Sequence, residues 1–216
     1  MQRLVLFDLD NTLVDRAAGL RLWAQEFCVR RGLGQADVEW MVEADGDGLV
    51  PKEIFFGELR DRFRLPDSVS SLWAQYRVRH PALIPVFPGV PAGLTRLRAE
   101  GWKVGLVTNG FADVQLRTIT GSGMGAYLDG WAISGAEDVR KPDRRLFEIA
   151  ARRCGTTLSD GGWMIGDSAT SDVGGGQAAG LRTVWVDRGG AWPSGLPVPD
   201  HVTPSVVEAF AVLLAG

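Results

Sequence analysis

Residues 4–7 (Leu4, Val5, Leu6, Phe7) are apolar without interruption and run directly into Asp8. A short continuous apolar run predicts a strand buried on both faces, because a half-buried strand would alternate polar and apolar residues. The period then changes. Over residues 15–31, Leu20, Trp23, Ala24, Phe27 and Cys28 recur at three- and four-residue spacing, which predicts one face of a helix ended by Gly32 and Gly34. A second helical stretch follows Asp37 with Val38, Trp40, Met41 and Val42, and Asp45-Gly46-Asp47-Gly48 breaks it. Pro51 opens a third, with Ile54, Phe55, Leu59 and Phe63 as its stripe; a fourth follows Asp67, carries Val69, Leu72, Trp73 and Tyr76, and runs to about residue 80. No strand is expected between residues 15 and 82, so this block reads as an all-helical insertion.

Beyond a proline-rich link (Pro81, Pro85, Pro88, Pro91), helices and strands alternate. Helices are expected over 91–100, 143–153, 172–179 and 205–214, and strands over 103–108, 131–134, 163–165 and 182–186. Such alternation predicts an α/β domain, a parallel sheet with helices on both faces. The expected organisation is an α/β core from residues 1–14 and 83–216 and a helical insertion over 15–82.

Of the 216 residues 45% are hydrophobic, enough for one core and a smaller appended unit. The formal net charge of -3 gives no basic surface for a nucleic acid polymer or an anionic membrane. Cys28 and Cys154 lie in helical patterns with no second cysteine or histidine at metal spacing, which predicts buried reduced thiols. The first strand begins too early for a signal peptide to precede it, and no apolar run approaches the roughly 20 residues of a membrane helix. A soluble, cytoplasmic protein is expected.

Asp8 and Asp10 stand two residues apart where the first strand ends. If the backbone stays extended, both carboxylates point to one side and require a cation or a shared proton; otherwise they are acids of the kind that suit a turn. In open parallel sheets ligands bind beyond the carboxyl ends of the strands. Each of three expected strands ends in residues able to act on an anion or a metal: Asp8 and Asp10, Thr108 and Asn109, and Asp167.

With Asp8-Leu9-Asp10-Asn11-Thr12, Thr108-Asn109, Lys141-Pro142-Asp143 and Gly166-Asp167-Ser168 followed by Asp172, in that order, the chain resembles the haloacid dehalogenase-like superfamily. The resemblance implies a Rossmann-like core with a helical cap of the C1 type, and phosphomonoester hydrolysis with Mg²⁺ as cofactor. By resemblance, Asp8 is the nucleophile that forms an aspartyl-phosphate, and Asp10 protonates the leaving alcohol and then activates water. Thr108 and the backbone N–H of Asn109 hold a phosphate oxygen, and Lys141 supplies fixed positive charge. The metal ligands implied are carboxylates of Asp8 and Asp167 and the backbone carbonyl of Asp10, with Thr12, Gly166, Ser168 and Asp172 in support. Pro142 is expected to keep Lys141 extended and to start the next helix.

Three other readings compete. A 2-haloacid dehalogenase resembles the chain in fold but typically lacks an acid at position 10 and uses no Mg²⁺; a sugar-phosphate mutase and a non-catalytic binding module are the others. The expected partner is a small phosphorylated metabolite, and the expected state a monomer or homodimer. Substrate choice is expected in the helical insertion, with Arg16, Trp23, Asp47, Gly48 and Lys52 as candidates, although Trp23 also suits core packing and the Asp-Gly run also suits a plain interhelical turn.

Overall fold

The computed structural model describes residues 3–215, so residues 1, 2 and 216 of the expected core lie outside the described residues. The chain divides into two compact units, Asp15–Pro85 and the remainder, Met1–Val14 with Val86–Gly216.

The Asp15–Pro85 unit is helical: α1 (Arg16–Arg31), α2 (Gln35–Asp45), α3 (Lys52–Arg62) and α4 (Val69–Arg79). Asp15 caps α1, its carboxylate accepting from Ala18 N at 2.8 Å, and Gly32 ends the helix at φ +66°. Side-chain hydrogen bonds also set the starts of α2 and α4. Asp37 lies inside α2, where its carboxylate reaches back to Gly34 N at 3.0 Å, so the helix starts earlier than the pattern indicated. Ser68, not Asp67, caps α4, because the Asp67 carboxylate is engaged by Arg31 at 2.8 Å. The core is aromatic, with Trp23 edge-on to Tyr76 (centroids 5.0 Å apart) and Phe55 edge-on to Phe56 (4.9 Å). Phe56 is fully buried whereas Ile54, expected in the α3 stripe, is 52% exposed. The unit extends to residue 85 rather than 82. Ile84 packs where a Cβ on Gly19 would stand, 2.6 Å from its Cγ1, and Asp15 N donates to Pro85 O at 2.8 Å.

The other unit runs β1 (Arg3–Phe7), α5 (Val90–Ala99), β2 (Trp102–Thr108), α6 (Ala112–Gly121), β3 (Gly130–Ile133), α7 (Ser134–Glu137), α8 (Arg144–Arg153), β4 (Trp163–Gly166), α9 (Gly175–Ala178), β5 (Arg182–Val186), β6 (His201–Thr203) and α10 (Val206–Ala215). The six strands form one sheet in the order β3-β2-β1-β4-β5-β6, every pair parallel. Side chains alternate along β1. Leu4 and Leu6 join Leu146, Phe147 and Ala150 of α8, while Phe7 meets Phe210 of α10 at 5.7 Å from the other face.

Helix α6 and strand β6 were not expected. The helix expected over 172–179 is a π-helical turn, Ala169–Gly174, running into the short α9. The expected strand residue Ser134 starts α7, and α8 starts at Arg144, with Asp143 as its cap (Arg145 N to Oδ1, 2.9 Å) and Pro142 outside it after a cis peptide bond.

Candidate active site

Because all strands are parallel, their carboxyl ends share one rim, and the motif residues gather there. Asp8 continues the ladder one residue past β1, donating its N–H to Ile165 O at 2.9 Å. The chain then turns sharply at Leu9: Leu13 and Val14 both donate to Leu9 O, and Asn11 adopts φ +60°. The carboxylates that cluster with Asp8 are those of Asp167 and Asp172, within 4.8 Å of one another. Asp10 is not in that cluster; its Oδ2 accepts from Gln115 Nε2 at 2.9 Å.

Lys141 is 3% exposed, and its Nζ donates to Asp8 Oδ1 (2.5 Å), Asp172 Oδ1 (2.6 Å) and Val107 O (2.7 Å), which uses all three ammonium hydrogens. Burial opposes its charge, but Asp172 and Asp8 outweigh burial and raise its pKa above the ordinary lysine value. Its backbone is held by Asn109, which accepts from Lys141 N at 2.9 Å and donates to Lys141 O at 3.1 Å. The side chain of Asn109 thus acts on the backbone of the turn that carries Lys141, a use not foreseen from the sequence. Thr108 is buried, and its hydroxyl accepts from Gln115 Nε2 at 2.6 Å.

Asp172 also accepts from Ser168 N at 2.9 Å. Ser168 caps the π-helical turn, its Oγ accepting from Ser171 N at 3.2 Å. Burial, partly offset by Lys141, raises the Asp172 carboxyl to about 6. Asp167 is tied by β5 and the residues after it: Trp185 Nε1 donates to its backbone carbonyl at 2.7 Å and Arg188 Nη1 to its Oδ2 at 3.0 Å. Burial, followed by the charges of Asp8 and Asp172, pushes Asp167 up to about 8. Thr12 is buried in the turn after β1, its hydroxyl without a hydrogen-bond partner among the described residues. Gln115, Arg188 and Trp185 were missed in the sequence, where nothing ties them to the motifs.

In the helical unit, Arg16 and Lys52 meet at one buried acid, Asp45, and Gly48 lies against Arg16. Arg16 grips it with two nitrogens (2.8 and 3.0 Å) and Lys52 Nζ reaches Oδ1 at 2.5 Å. A Cβ on Gly48 would stand 2.8 Å from the Arg16 guanidinium carbon. Burial resists ionisation of Asp45, yet Arg16 and Lys52 hold its pKa down to about 2. Asp47 is exposed, at φ +55°. Trp23 stands apart from these residues. Only 2% exposed, it is enclosed by Phe27, Phe55, Phe56 and Tyr76 and belongs to the core.

At the amino ends of the strands, a cavity of about 470 Å³ is lined by Arg3, Trp102, Trp163 and Arg182 and includes none of the motif residues. No helix among the described residues is long and apolar enough to cross a membrane.

The family model for haloacid dehalogenase-like hydrolases matches residues 2–180. The chain belongs to this family. Among haloacid dehalogenase-like hydrolases it is similar to phosphoserine phosphatase of Thermus thermophilus, 33% identical over 66% of this chain and 56% of that enzyme, little more than half its length. It is also similar to human N-acylneuraminate-9-phosphatase, 30% identical over 98% of this chain and 93% of that one. Among solved structures, 2-haloacid dehalogenase from Pseudomonas syringae pv. Tomato superposes with a TM-score of 0.64 at 26% identity, covering 100% of this chain and 99% of the other.

Proposed function

We propose that this hydrolase cleaves phosphate monoesters of small metabolites through an aspartyl-phosphate on Asp8, with Mg²⁺ as cofactor. The observation that carries the reading is the gathering of three carboxylates, Asp8, Asp167 and Asp172, within 4.8 Å around a single buried lysine. Oxygen donors alone suit a small hard cation, and a cation there would favour the charged form of Asp167, which burial first and the charges of Asp8 and Asp172 second disfavour. Asp8, Asp167 and the Asp10 carbonyl would hold the ion. Asp172, already committed to Lys141 and Ser168 N, supports the lysine. Bound there, Mg²⁺ supplies positive charge facing the phosphate and the attacking carboxylate.

In the first half-reaction an Asp8 oxygen bonds to phosphorus, the ester P–O bond breaks, and Asp10 gives its proton to the departing oxygen. In the second, Asp10 takes a proton from water as the water oxygen attacks the acyl-phosphate and frees Asp8. Thr108 and the N–H of Asn109 bind a non-bridging oxygen, and Lys141 offsets the charge of the transition state. Thr12, Gly166 and Ser168 support the loops that bear these groups. Arg16, Asp47, Gly48 and Lys52 are proposed to select the substrate; Trp23, enclosed in its core, is not.

The likeness to a 2-haloacid dehalogenase favours a second reading, hydrolysis of a carbon–halogen bond. Asp10 separates the two, because a departing halide needs no proton whereas a departing alkoxide does. Phosphate release from p-nitrophenyl phosphate that requires Mg²⁺ and vanishes in Asp8→Asn is the expected result. Metal-independent halide release from a 2-haloacid, without phosphate release, would overturn the phosphatase reading.

A further inference from the structure

We infer that the cavity at the amino ends of the strands is a second binding site, which takes a small aromatic ring bearing one oxyanionic group and holds the charge of that group on Arg3. The site lies at the opposite end of the sheet from the motif residues and does not depend on the function proposed above.

The ladder register builds one wall. Arg3 is level with Trp102, and Trp163 is level with both Val5 and Arg182. Residues 3 and 5 of β1 share a face, so all four side chains leave the sheet on one side, the side on which Phe7 meets α10. In the strand order β2-β1-β4-β5 the row reads Trp, Arg, Trp, Arg. Each guanidinium lies over an indole, Arg3 over Trp102 at 5.7 Å and Arg182 over Trp163 at 4.0 Å. Stacking occupies the face of a guanidinium and leaves its N–H edge to donate.

The charges in the lining are unequally engaged. Arg182 Nε stands 3.7 Å from Asp200 Oδ1, so part of its charge is already answered. No acceptor engages the Arg3 guanidinium among the described residues. Asp160 also lines the cavity, exposed and accepting from the Thr157 hydroxyl at 3.1 Å. Two arginines against one lining acid leave a positive balance, concentrated at Arg3, which suits a single negative charge. Trp102 is 6% exposed, and its Nε1 hydrogen has no acceptor among the described residues. A buried donor left unpaired costs about 1–3 kcal/mol, a cost that a ligand oxygen would offset. Val212 and Leu213 of α10 supply apolar walls for a ring, and the volume of about 470 Å³ falls within the roughly 300–1,000 Å³ of small-molecule sites.

The probe is naphthalene-2-carboxylate, with 2-naphthalenemethanol as its neutral counterpart, each titrated calorimetrically into the full chain. The carboxylate should bind with Kd below about 1 mM, and the alcohol roughly 5-fold more weakly. Arg3→Gln should bring the carboxylate down to the affinity of the alcohol and leave the alcohol unchanged. Val212→Phe, which fills the cavity from α10, should weaken both probes, and thermal melts establish that both variants are folded. No binding of the carboxylate to the wild type, equal affinity for the two probes, or carboxylate binding unmoved in the two folded variants would each overturn the inference. Any of these failures leaves the phosphatase reading standing, because no motif residue lines this cavity.

Discussion

Gly166 lies directly beneath the carboxylate of Asp172: a Cβ at position 166 would overlap Oδ2 and crowd Cγ and Cβ of that side chain. The last residue of β4 therefore lacks a side chain so that an acid from the following turn can reach Lys141. In Gly166→Ala the carboxylate has to move. Overpacking of this kind costs about 1–3 kcal/mol, and misplacing a group that holds the lysine should lower kcat roughly 100-fold. Thermal melts and steady-state kinetics check this, and a wild-type kcat would show that Asp172 need not sit where it does.

Lys141→Met removes the cation that bridges Asp8 and Asp172. Breaking a buried charge cluster by deleting one partner typically costs about 3–5 kcal/mol. The folded pKa of Lys141 is raised, so its contribution is fully present below the ordinary lysine value and fades only as pH rises through the folded value. The deficit should thus be fully expressed at neutral pH. Chemical denaturation of the two proteins measures it, and equal midpoints would refute the compensating role of the lysine.

The helical unit should lose stability in acid. His80 is 2% exposed and stacked on Tyr76; burial first, and the Arg16 charge second, lower its pKa to about 3. Between pH 6.5 and about 3 the unfolded chain binds a proton at this site that the folded chain does not, so stability falls as pH falls, by up to about 1.4 kcal/mol per unit. Asp45, held to about 2, adds a loss of the same sign only below its ordinary value of 3.8. In His80→Phe, which keeps the stacking without the titration, the decline of the melting midpoint from pH 7 to pH 4 should be shallower than in wild type. Parallel slopes would exclude His80 as the source.

A cation bound at the proposed Asp8 and Asp167 site would stabilise the folded state by mass action, by about 2.7 kcal/mol at 100 times its dissociation constant. Added Mg²⁺ should raise the melting temperature, EDTA should reverse the rise, and Asp167→Asn should abolish it. A melting temperature indifferent to Mg²⁺ at millimolar levels would count against a metal at this rim.

The strands that carry the motif residues are legible in the sequence because continuous apolar runs such as 4–7 and 104–107 have few alternative readings. Helix α6 is not. Its inward face carries Gln115 and Thr118, both buried, while Leu116 is 44% exposed, so the apolar period is broken by a residue that reaches Asp10 and Thr108. Strand β6 escaped for a different reason: it has three residues, and Val202 at its centre is 51% exposed. In the candidate site, strand order brings together residues whose spacing says nothing of mutual contact. Arg188 reaches Asp167 from 21 positions away and Gln115 reaches Asp10 from 105, partners that only the folded chain defines. Trp23 shows the reverse case, a substrate-contact candidate whose place on an apolar helix face already favoured core packing, and its neighbours put it in the core.

Strand β1 has parallel neighbours along both edges, β2 on one side and β4 on the other. Its amide protons can reach solvent only when the middle of the sheet comes apart, which places them among the slowest to exchange with deuterium. Asp8 is suspended from that segment. Fluctuations that fray the outer strands or the surface helices therefore leave the anchor of the proposed nucleophile in register for as long as the central strands stay zipped.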